Sequence, residues 1–266
     1  MAKCLIAGLP NAGKSTYIAA LSYLLQSPIE GQKLHFREVP EDMSSINRLI
    51  NPWLEQREVE RTARGKITNF SFDLERSQDG SYINVSMPDI AGEDFTSILQ
   101  SQNELLTSWE TKPDSLLYFI KDIPVEVLKD SFKEENSEMI DYRIPQFSSK
   151  YITATVKNVL LIKELRRLFP WNKIAIGVSS WDVHSEEEET PDKYLKNRSP
   201  FLWNFLSYHF PDAFIFGISA QGWDYKDERK KEDFINKTEK GTRSYIVNEN
   251  GDKSFDLTEP LNFLIS

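Results

Sequence analysis

The sequence predicts an α/β protein built on a doubly wound, mostly parallel sheet, and three observations carry this prediction. A short apolar run at residues 4–7 leads into a glycine-containing loop and then into a helical pattern at residues 16–25. Later apolar runs alternate with further helical patterns, as a parallel sheet requires. These runs are nearly continuous, which is typical of strands covered by helices on both faces.

The predicted elements follow one another in a regular order. After the first helix, an alternating strand at residues 67–74 and a turn signal at residues 77–80 lead into a second strand that begins at residue 83. Further strands are predicted at residues 116–120, 173–178 and 213–218, and further helices at residues 155–169, 200–209 and 260–265. We predict a single domain over residues 1–266, with insertions near residues 124–153 and 223–253.

Composition argues against several classes of protein. The chain has 266 residues, of which 39% are hydrophobic and 12% aromatic, so a sizeable core can be buried. Its net charge of −9 argues against nonspecific nucleic-acid binding, and no apolar run approaches the roughly 20 residues of a membrane span. The first strand follows Met1 too closely for a signal peptide, which predicts a cytoplasmic protein. The single cysteine, Cys4, is interpreted as a core residue of that strand.

The loop at residues 8–15 reads Gly-Leu-Pro-Asn-Ala-Gly-Lys-Ser, which matches the G-x-x-x-x-G-K-S pattern of phosphate-binding loops. Gly8 and Gly13 would let the backbone approach phosphate oxygens, and the helix N-terminus would face the anion. Lys14 would reach the β- and γ-phosphates, and the Ser15 hydroxyl would ligate Mg²⁺. The predicted nucleotide ligands of the loop are Asn11, Ala12, Gly13, Lys14, Ser15 and Thr16. The alternative is a glycine-containing turn with a chance lysine.

A second motif, Asp-x-x-Gly-Glu, follows the strand that begins at residue 83. At the end of that strand Asp89 could hold Mg²⁺ through a water, and Gly92 could offer its N–H to the γ-phosphate. The hairpin with residues 67–74 would deliver Asp89 to the phosphate edge of the sheet. The alternative is an ordinary turn from a strand into a loop.

Two later strand ends predict a site for a nucleotide base, because ligands of doubly wound sheets bind beyond the carboxyl ends of the strands. Asp182 follows one strand, and its carboxylate could accept hydrogen bonds from N1–H and the exocyclic amine of guanine, a donor pair that adenine lacks. Ser219 and Ala220 follow the next strand, and the Ala220 N–H could donate to guanine O6. Each of these residues alone could be an ordinary loop residue. Because they follow the phosphate-binding motifs in this order, together they support the prediction of a guanine site.

Together these motifs resemble those of GTPases of the TRAFAC class, which holds Ras-like and translation-factor GTPases, and the resemblance covers nearly the whole chain. The loop is most similar to the form found in Era- and MnmE-like GTPases. Further segments resemble the double-GTPase family of bacterial conflict and defence gene clusters: Trp53 and residues 60–62, 89–95, 180–182 and 259–265. The resemblance implies a P-loop NTPase fold of the Ras-like G-domain type, GTP or GDP and Mg²⁺ as ligands, and a role in antiviral defence.

The sequence departs from the class at three positions. Ser179 and Ser180 replace the first two members of the Asn/Thr-Lys-x-Asp motif, whose lysine stem packs over the base. Trp181 could replace that packing or could be buried against the next helix. Glu93 stands where many members of the class have a glutamine that orients the attacking water, and an ionised carboxylate cannot donate a hydrogen bond as an amide can.

Two further assignments rest on the resemblance. Thr62, after Glu60 and Arg61, matches the double-GTPase pattern for the switch threonine that would ligate Mg²⁺, whereas Thr68 resembles the threonine of translation-factor switches. We favour Thr62. Asn11 matches the asparagine that ligates K⁺ in potassium-activated GTPases, which makes K⁺ a further candidate ligand; the alternative is an asparagine bonded to its own backbone.

These observations predict a protein that binds GTP with Mg²⁺, hydrolyses it slowly and changes conformation at residues 55–70 and 90–105 to regulate a partner. The predicted catalytic residues are Lys14, Thr62 and Glu93. The expected partner is a protein effector or activator, or a second copy in a nucleotide-dependent dimer. Two alternatives stay open: a P-loop enzyme that uses ATP, and a nucleotide-bound scaffold that does not hydrolyse its ligand.

Overall fold

A computed structural model of the chain describes residues 2–39, 43–59, 67–91, 94, 112–121, 154–184, 190–223 and 231–266. The strands are β1 (Ala2–Gly8), β2 (Leu34–Phe36), β3 (Ile67–Arg76), β4 (Tyr82–Ile90), β5 (Ser115–Ile120), β6 (Lys173–Ser179), β7 (Phe214–Ser219), β8 (Tyr245–Val247) and β9 (Lys253–Ser254). The helices are α1 (Lys14–Gln26), α2 (Ser44–Leu54), α3 (Ala154–Leu168), α4 (Trp181–His184), α5 (Pro191–Arg198), α6 (Pro200–His209), α7 (Lys231–Glu239) and α8 (Glu259–Ile265).

The described strands form one nine-stranded sheet in the order β2-β3-β4-β1-β5-β6-β7-β8-β9. Its centre is parallel: β1 pairs with β4 and β5, β5 pairs with β6, and β6 pairs with β7. Antiparallel strands extend it on both sides, β2 and β3 beyond β4 and β8 and β9 beyond β7. The predicted α/β class with a mostly parallel sheet is therefore confirmed.

Helices cover both faces of this sheet. Along β5, Leu117 and Phe119 face one apolar cluster, which includes residues of α1, α2 and α8. Their neighbours Leu116, Tyr118 and Ile120 face the other, which includes residues of α3, α5 and α6. Successive side chains of a strand point to opposite faces, so β5 is buried on both sides and its sequence is an unbroken apolar run.

The structure describes the two segments predicted as insertions to different extents. Residues 124–153 lie outside the described residues. Within residues 223–253 the chain forms α7, β8 and part of β9, and a turn at residues 248–252 connects β8 to β9. Asn248 accepts hydrogen bonds from the Asn250 and Asp252 backbone N–H groups through its side chain, which closes this turn. The second segment therefore extends the main sheet.

Across the described ranges, none of the helices combines the length and the apolar character that crossing a membrane would require.

Leu117→Ala should destabilise the protein by about 2–5 kcal/mol, because the side chain is fully buried in the central strand and its loss leaves a cavity. Urea denaturation of the two proteins measures this difference. The matched control is Leu160→Ala on α3, where the side chain is 39% exposed and the expected change stays within about 0.5 kcal/mol. Equal losses from both substitutions would contradict the assignment of β5 to the core.

Candidate functional site

The glycine loop connects the end of β1 to the start of α1, and the backbone favours glycine at two positions in it. A Cβ on Gly8 would lie 2.5 Å from the carbonyl oxygen of Phe119 on the neighbouring strand. Gly13 has φ +84°, and a Cβ there would lie 3.3 Å from Cβ of Ser179. Asn11 also has a left-handed backbone, with φ +62°, which asparagine tolerates better than most residues. The loop is thus tightly wound against β5 and β6.

Lys14, the first residue of α1, turns back over the loop. Its Nζ donates hydrogen bonds to the carbonyl oxygens of Gly8, at 3.0 Å, and Leu9, at 3.4 Å, and the residue is buried. The first turn of α1 contains no acidic residue. A lysine ammonium at the positive end of a helix dipole creates a local positive potential, which favours an anion in front of the loop.

Ser179 joins the glycine loop to the sheet. It is the last residue of β6, and its hydroxyl donates a hydrogen bond of 3.1 Å to the carbonyl oxygen of Ile120 at the end of β5. Its Cβ also lies beside Gly13. Ser179 therefore contacts the ends of two strands and the loop, although its side chain is smaller than the asparagine or threonine of the motif that it replaces.

Asp182 and Ser219 meet across the ends of β6 and β7. The Ser219 hydroxyl donates a hydrogen bond of 2.8 Å to Oδ1 of Asp182, which lies in the single turn of α4. Ser180, just before this turn, has φ +60°, and its carbonyl oxygen accepts a hydrogen bond from the Val183 N–H. The turn and the serine together fix the direction of the Asp182 carboxylate.

Trp181 is buried in the core behind this turn. Only 3% of the residue is exposed, and its ring lies 5.5 Å from the ring of Tyr194 on α5. A Cβ on Gly217 of β7 would lie 2.3 Å from Trp181 Cδ2, so the indole packs directly on a glycine of the sheet. Of the two interpretations of Trp181, burial against the next helix is the one that the structure supports, and packing over a base is wrong.

The predicted metal ligands are described only in part. Asp89 is the penultimate residue of β4 and pairs in register with Thr68 of β3, in the hairpin that the sequence predicts. Thr68 is therefore a strand residue. Thr62, Gly92 and Glu93 lie outside the described residues, so the assignment of the switch threonine to Thr62 stays a prediction.

Parallel pairing brings the remaining predicted residues to one edge of the sheet. Gly8 pairs with Phe119, Ile120 with Val178, and Ser179 with Ile218, so β1, β5, β6 and β7 all end at similar heights. The residues that this arrangement gathers are Asn11, Ala12, Gly13, Lys14, Ser15 and Thr16 from the loop, Asp182 after β6, and Ser219 and Ala220 after β7.

Cys4 is a buried strand residue and does not supply a reactive thiol at this edge. It lies within β1, fully buried, and burial raises the pKa of its thiol to about 12. A thiol with that pKa stays protonated at neutral pH and is a poor nucleophile. The interpretation of Cys4 as a core residue agrees with this environment.

A family model for Double-GTPase 1 matches residues 5–264. The chain belongs to the Double-GTPase 1 family. This confirms the resemblance to double-GTPases and supports GTP binding by a P-loop GTPase fold. Among solved structures, the RocCORdC portion of Roco2 from Methanosarcina barkeri, bound to GDP, is similar over 91% of this chain, with 15% sequence identity and a TM-score of 0.35. The alignment covers 48% of that protein, so the chain spans about half of its length. Among curated proteins, none matches the chain.

Gly217→Ala should destabilise this Double-GTPase 1 protein by about 1–3 kcal/mol, because the new methyl group overlaps the indole of Trp181. A double-mutant cycle with Trp181→Leu tests the cause. With leucine at position 181, Gly217→Ala should cost less than it does beside the native indole, by at least about 0.5 kcal/mol. Urea denaturation of the four proteins gives the coupling. Strict additivity would show that Trp181 does not pack on Gly217.

Proposed function

We propose that the protein binds GTP with Mg²⁺ at the edge where β1, β6 and β7 end, hydrolyses it slowly, and regulates a protein partner by its nucleotide state. The observation that supports this most directly is the coexistence, on one sheet edge, of a lysine-bearing glycine loop and a carboxylate fixed by a serine. The first is suited to a triphosphate and the second to a guanine base. Membership of the Double-GTPase 1 family supports the same conclusion.

The triphosphate would lie over the glycine loop. Backbone N–H groups from Asn11 to Thr16 and the start of α1 would face its oxygens, and Gly8 and Gly13 allow the chain to approach them closely. Lys14 would exchange its bonds to the loop carbonyls for bonds to the β- and γ-phosphates. A bound triphosphate would then neutralise the positive charge that the loop concentrates.

Guanine would be selected by Asp182 and Ala220. The Asp182 carboxylate, which accepts a hydrogen bond from Ser219, would accept two more from N1–H and the 2-amino group of guanine. The Ala220 N–H would donate to O6. Adenine carries an amino group in place of O6 and has no hydrogen on N1, so it would leave the carboxylate and the N–H unsatisfied. This argues against the ATP-using alternative.

The expected cations would be held by oxygen-bearing side chains near the proposed phosphate site. Ser15 lies in the first turn of α1, and Asp89 lies near the end of β4, which pairs with β1. With Thr62 they form the oxygen donor set that we propose for Mg²⁺, an ion that prefers oxygen ligands. Bound Mg²⁺ would supply charge neutralisation at the phosphate oxygens. Asn11 is exposed in the loop, and we propose it as a ligand for K⁺.

Slow hydrolysis follows from Glu93. An ionised carboxylate accepts a hydrogen bond from the attacking water but donates none towards the γ-phosphate, so Glu93 would leave part of the developing charge unsupported. Gly92 would supply one backbone N–H. We propose that a protein partner or a second copy completes the site. Complete absence of turnover would favour the scaffold alternative.

Regulation would act through residues 55–70 and 90–105, which include Thr62 and Glu93 and would differ between the GTP and GDP states. The family resemblance leads us to place this switch in a bacterial defence system of the cytoplasm. Co-purification of the protein with the products of neighbouring genes, in GTP and in GDP, tests that part of the proposal. Capture in one nucleotide state only is the expected result.

Asp182→Asn should weaken GTP binding about 10- to 100-fold and improve binding of xanthosine triphosphate, whose 2-oxo group needs a donor where guanine has an amine. Titration calorimetry with both nucleotides measures how far the substitution shifts the binding preference from GTP to xanthosine triphosphate. Asp212→Asn is the matched control, because this exposed residue lies before β7, at the opposite end of the strand from Ser219. Equal affinities of the unaltered protein for ATP and GTP would overturn the guanine assignment.

GTP hydrolysis per molecule should be slow in dilute protein and should rise with protein concentration or on addition of a partner. An arginine supplied in trans accelerates related reactions by up to about 10³–10⁵. Phosphate release across a wide range of protein concentrations, in K⁺ and in Na⁺, measures this, with Glu93→Ala alongside. Fast, concentration-independent turnover that is unchanged in Glu93→Ala would show that the lone site is complete. Equal rates in K⁺ and Na⁺ would remove K⁺ from the proposal.

A further inference from the structure

We propose that Trp53 and Arg243 are positioning residues for the guanine base, which set the preference for guanine by holding the loop at residues 219–222 in place. This inference rests on the proposed GTP site and adds to it two residues that lie outside its motifs. Neither is placed in contact with the nucleotide. Both act through Ala220, whose N–H is the proposed donor to guanine O6.

The carbonyl oxygen of Ala220 is held by two side chains from distant parts of the chain. Trp53, near the end of α2, donates a hydrogen bond of 2.9 Å from its indole Nε1, across 167 residues of sequence. Ser244, just before β8, donates a second of 2.7 Å from its hydroxyl. Trp53 is 2% exposed, so its N–H would be costly to leave unsatisfied.

Arg243 connects Trp53 to the same loop. Its guanidinium lies 3.6 Å from the centroid of the Trp53 ring, its Nη2 donates to the Trp53 carbonyl oxygen at 2.8 Å, and its Nε donates to the Gln221 carbonyl oxygen at 3.0 Å. A cation at the C-terminus of α2 is favoured by the helix dipole. Stacking and two directed donors together require the planar guanidinium of arginine.

These contacts leave Ala220 little freedom. On its N-terminal side, Ser219 is fixed by pairing with Tyr245 of β8. On its C-terminal side, its own carbonyl is held by Trp53 and Ser244, and Gly222, with φ +96°, folds so closely on Arg243 that a Cβ would lie 3.0 Å from Arg243 Cγ. The direction of the Ala220 N–H is therefore set before a ligand arrives.

A fixed N–H discriminates between bases. The Ala220 N–H would face the O6 acceptor of guanine but the amino group of adenine. A rigid loop keeps the N–H in this unfavourable position when adenine binds, whereas a loose loop could turn the N–H away from the amino group. Preorganisation also lowers the entropic cost of guanine binding. The triphosphate contacts the glycine loop instead, and its affinity should not depend on Trp53 or Arg243.

The experiment compares GTP, ATP and inorganic tripolyphosphate as ligands of the full chain by titration calorimetry. Trp53→Phe removes the indole donor and keeps an aromatic ring, and Arg243→Lys keeps the charge and loses the planar fork. Each should weaken GTP by about three- to tenfold, the effect of one lost hydrogen bond, and reduce the ratio of GTP to ATP affinity. Tripolyphosphate affinity should stay unchanged.

Tyr23→Phe is the matched control, because the Tyr23 ring packs 5.3 Å from Trp53 and the change removes a hydroxyl near the cluster without altering the Ala220 contacts. It should leave all three affinities unchanged. Ser244→Ala removes the other hydrogen-bond donor to the Ala220 carbonyl. Because this side chain is small, the variant replaces Trp53→Phe or Arg243→Lys in the test if one of them prevents folding. It should also lower GTP affinity and spare tripolyphosphate.

The outcomes separate this inference from the proposed function. An unaltered protein that does not prefer GTP to ATP would overturn both. A protein that prefers GTP, with variants that keep its GTP to ATP ratio, would overturn the positioning role alone. Parallel loss of GTP and tripolyphosphate affinity would also overturn it, because the two residues would then support the fold in general.

Discussion

Parallel pairing of β1, β5, β6 and β7 is the constraint on which the candidate site depends. Because the four strands run in one direction and in nearly level register, the segments that follow them emerge at one edge. Close packing at that edge then limits the residues that fit. A glycine is needed at position 8 because the Phe119 carbonyl lies beside it, and it is favoured at position 13 because the backbone there has φ +84°. The pairing of the strands thus determines which residues the glycine loop can contain.

The electrostatics of the edge come from the start of α1 and the end of β6. Lys14 brings a cation to a helix terminus that already favours anions, and the carbonyls of Gly8 and Leu9 hold it there. Asp182 places a negative group at the end of β6, two strands away from β1, and Ser219 orients it. Opposite charges along one edge of the sheet favour a ligand with an anionic part and a part rich in hydrogen-bond donors.

Local patterns indicate the elements of the candidate site, but they do not indicate the side chains that support it. The glycine loop, the hairpin that carries Asp89 and the strand ends at Asp182 and Ser219 are signalled by a few adjacent residues. The bond from Trp53 to Ala220 joins residues 167 positions apart, and only the folded sheet brings them together. Trp181 was ambiguous for the same reason, since the space that it fills is created by Gly217 on another strand. Strands as short as β8 and β9 carry too few residues for a periodic pattern.

The described sheet ends in a short strand on each side, β2 with three residues and β9 with two. A strand this short offers few unpaired backbone groups to another chain. It also covers little of its neighbour, because β2 pairs only with residues 74–76 of β3, a strand that begins at residue 67. Addition of a further strand is therefore disfavoured beside β2 and β9, whereas the remaining length of β3 keeps a backbone edge that β2 does not cover and at which a second copy could pair.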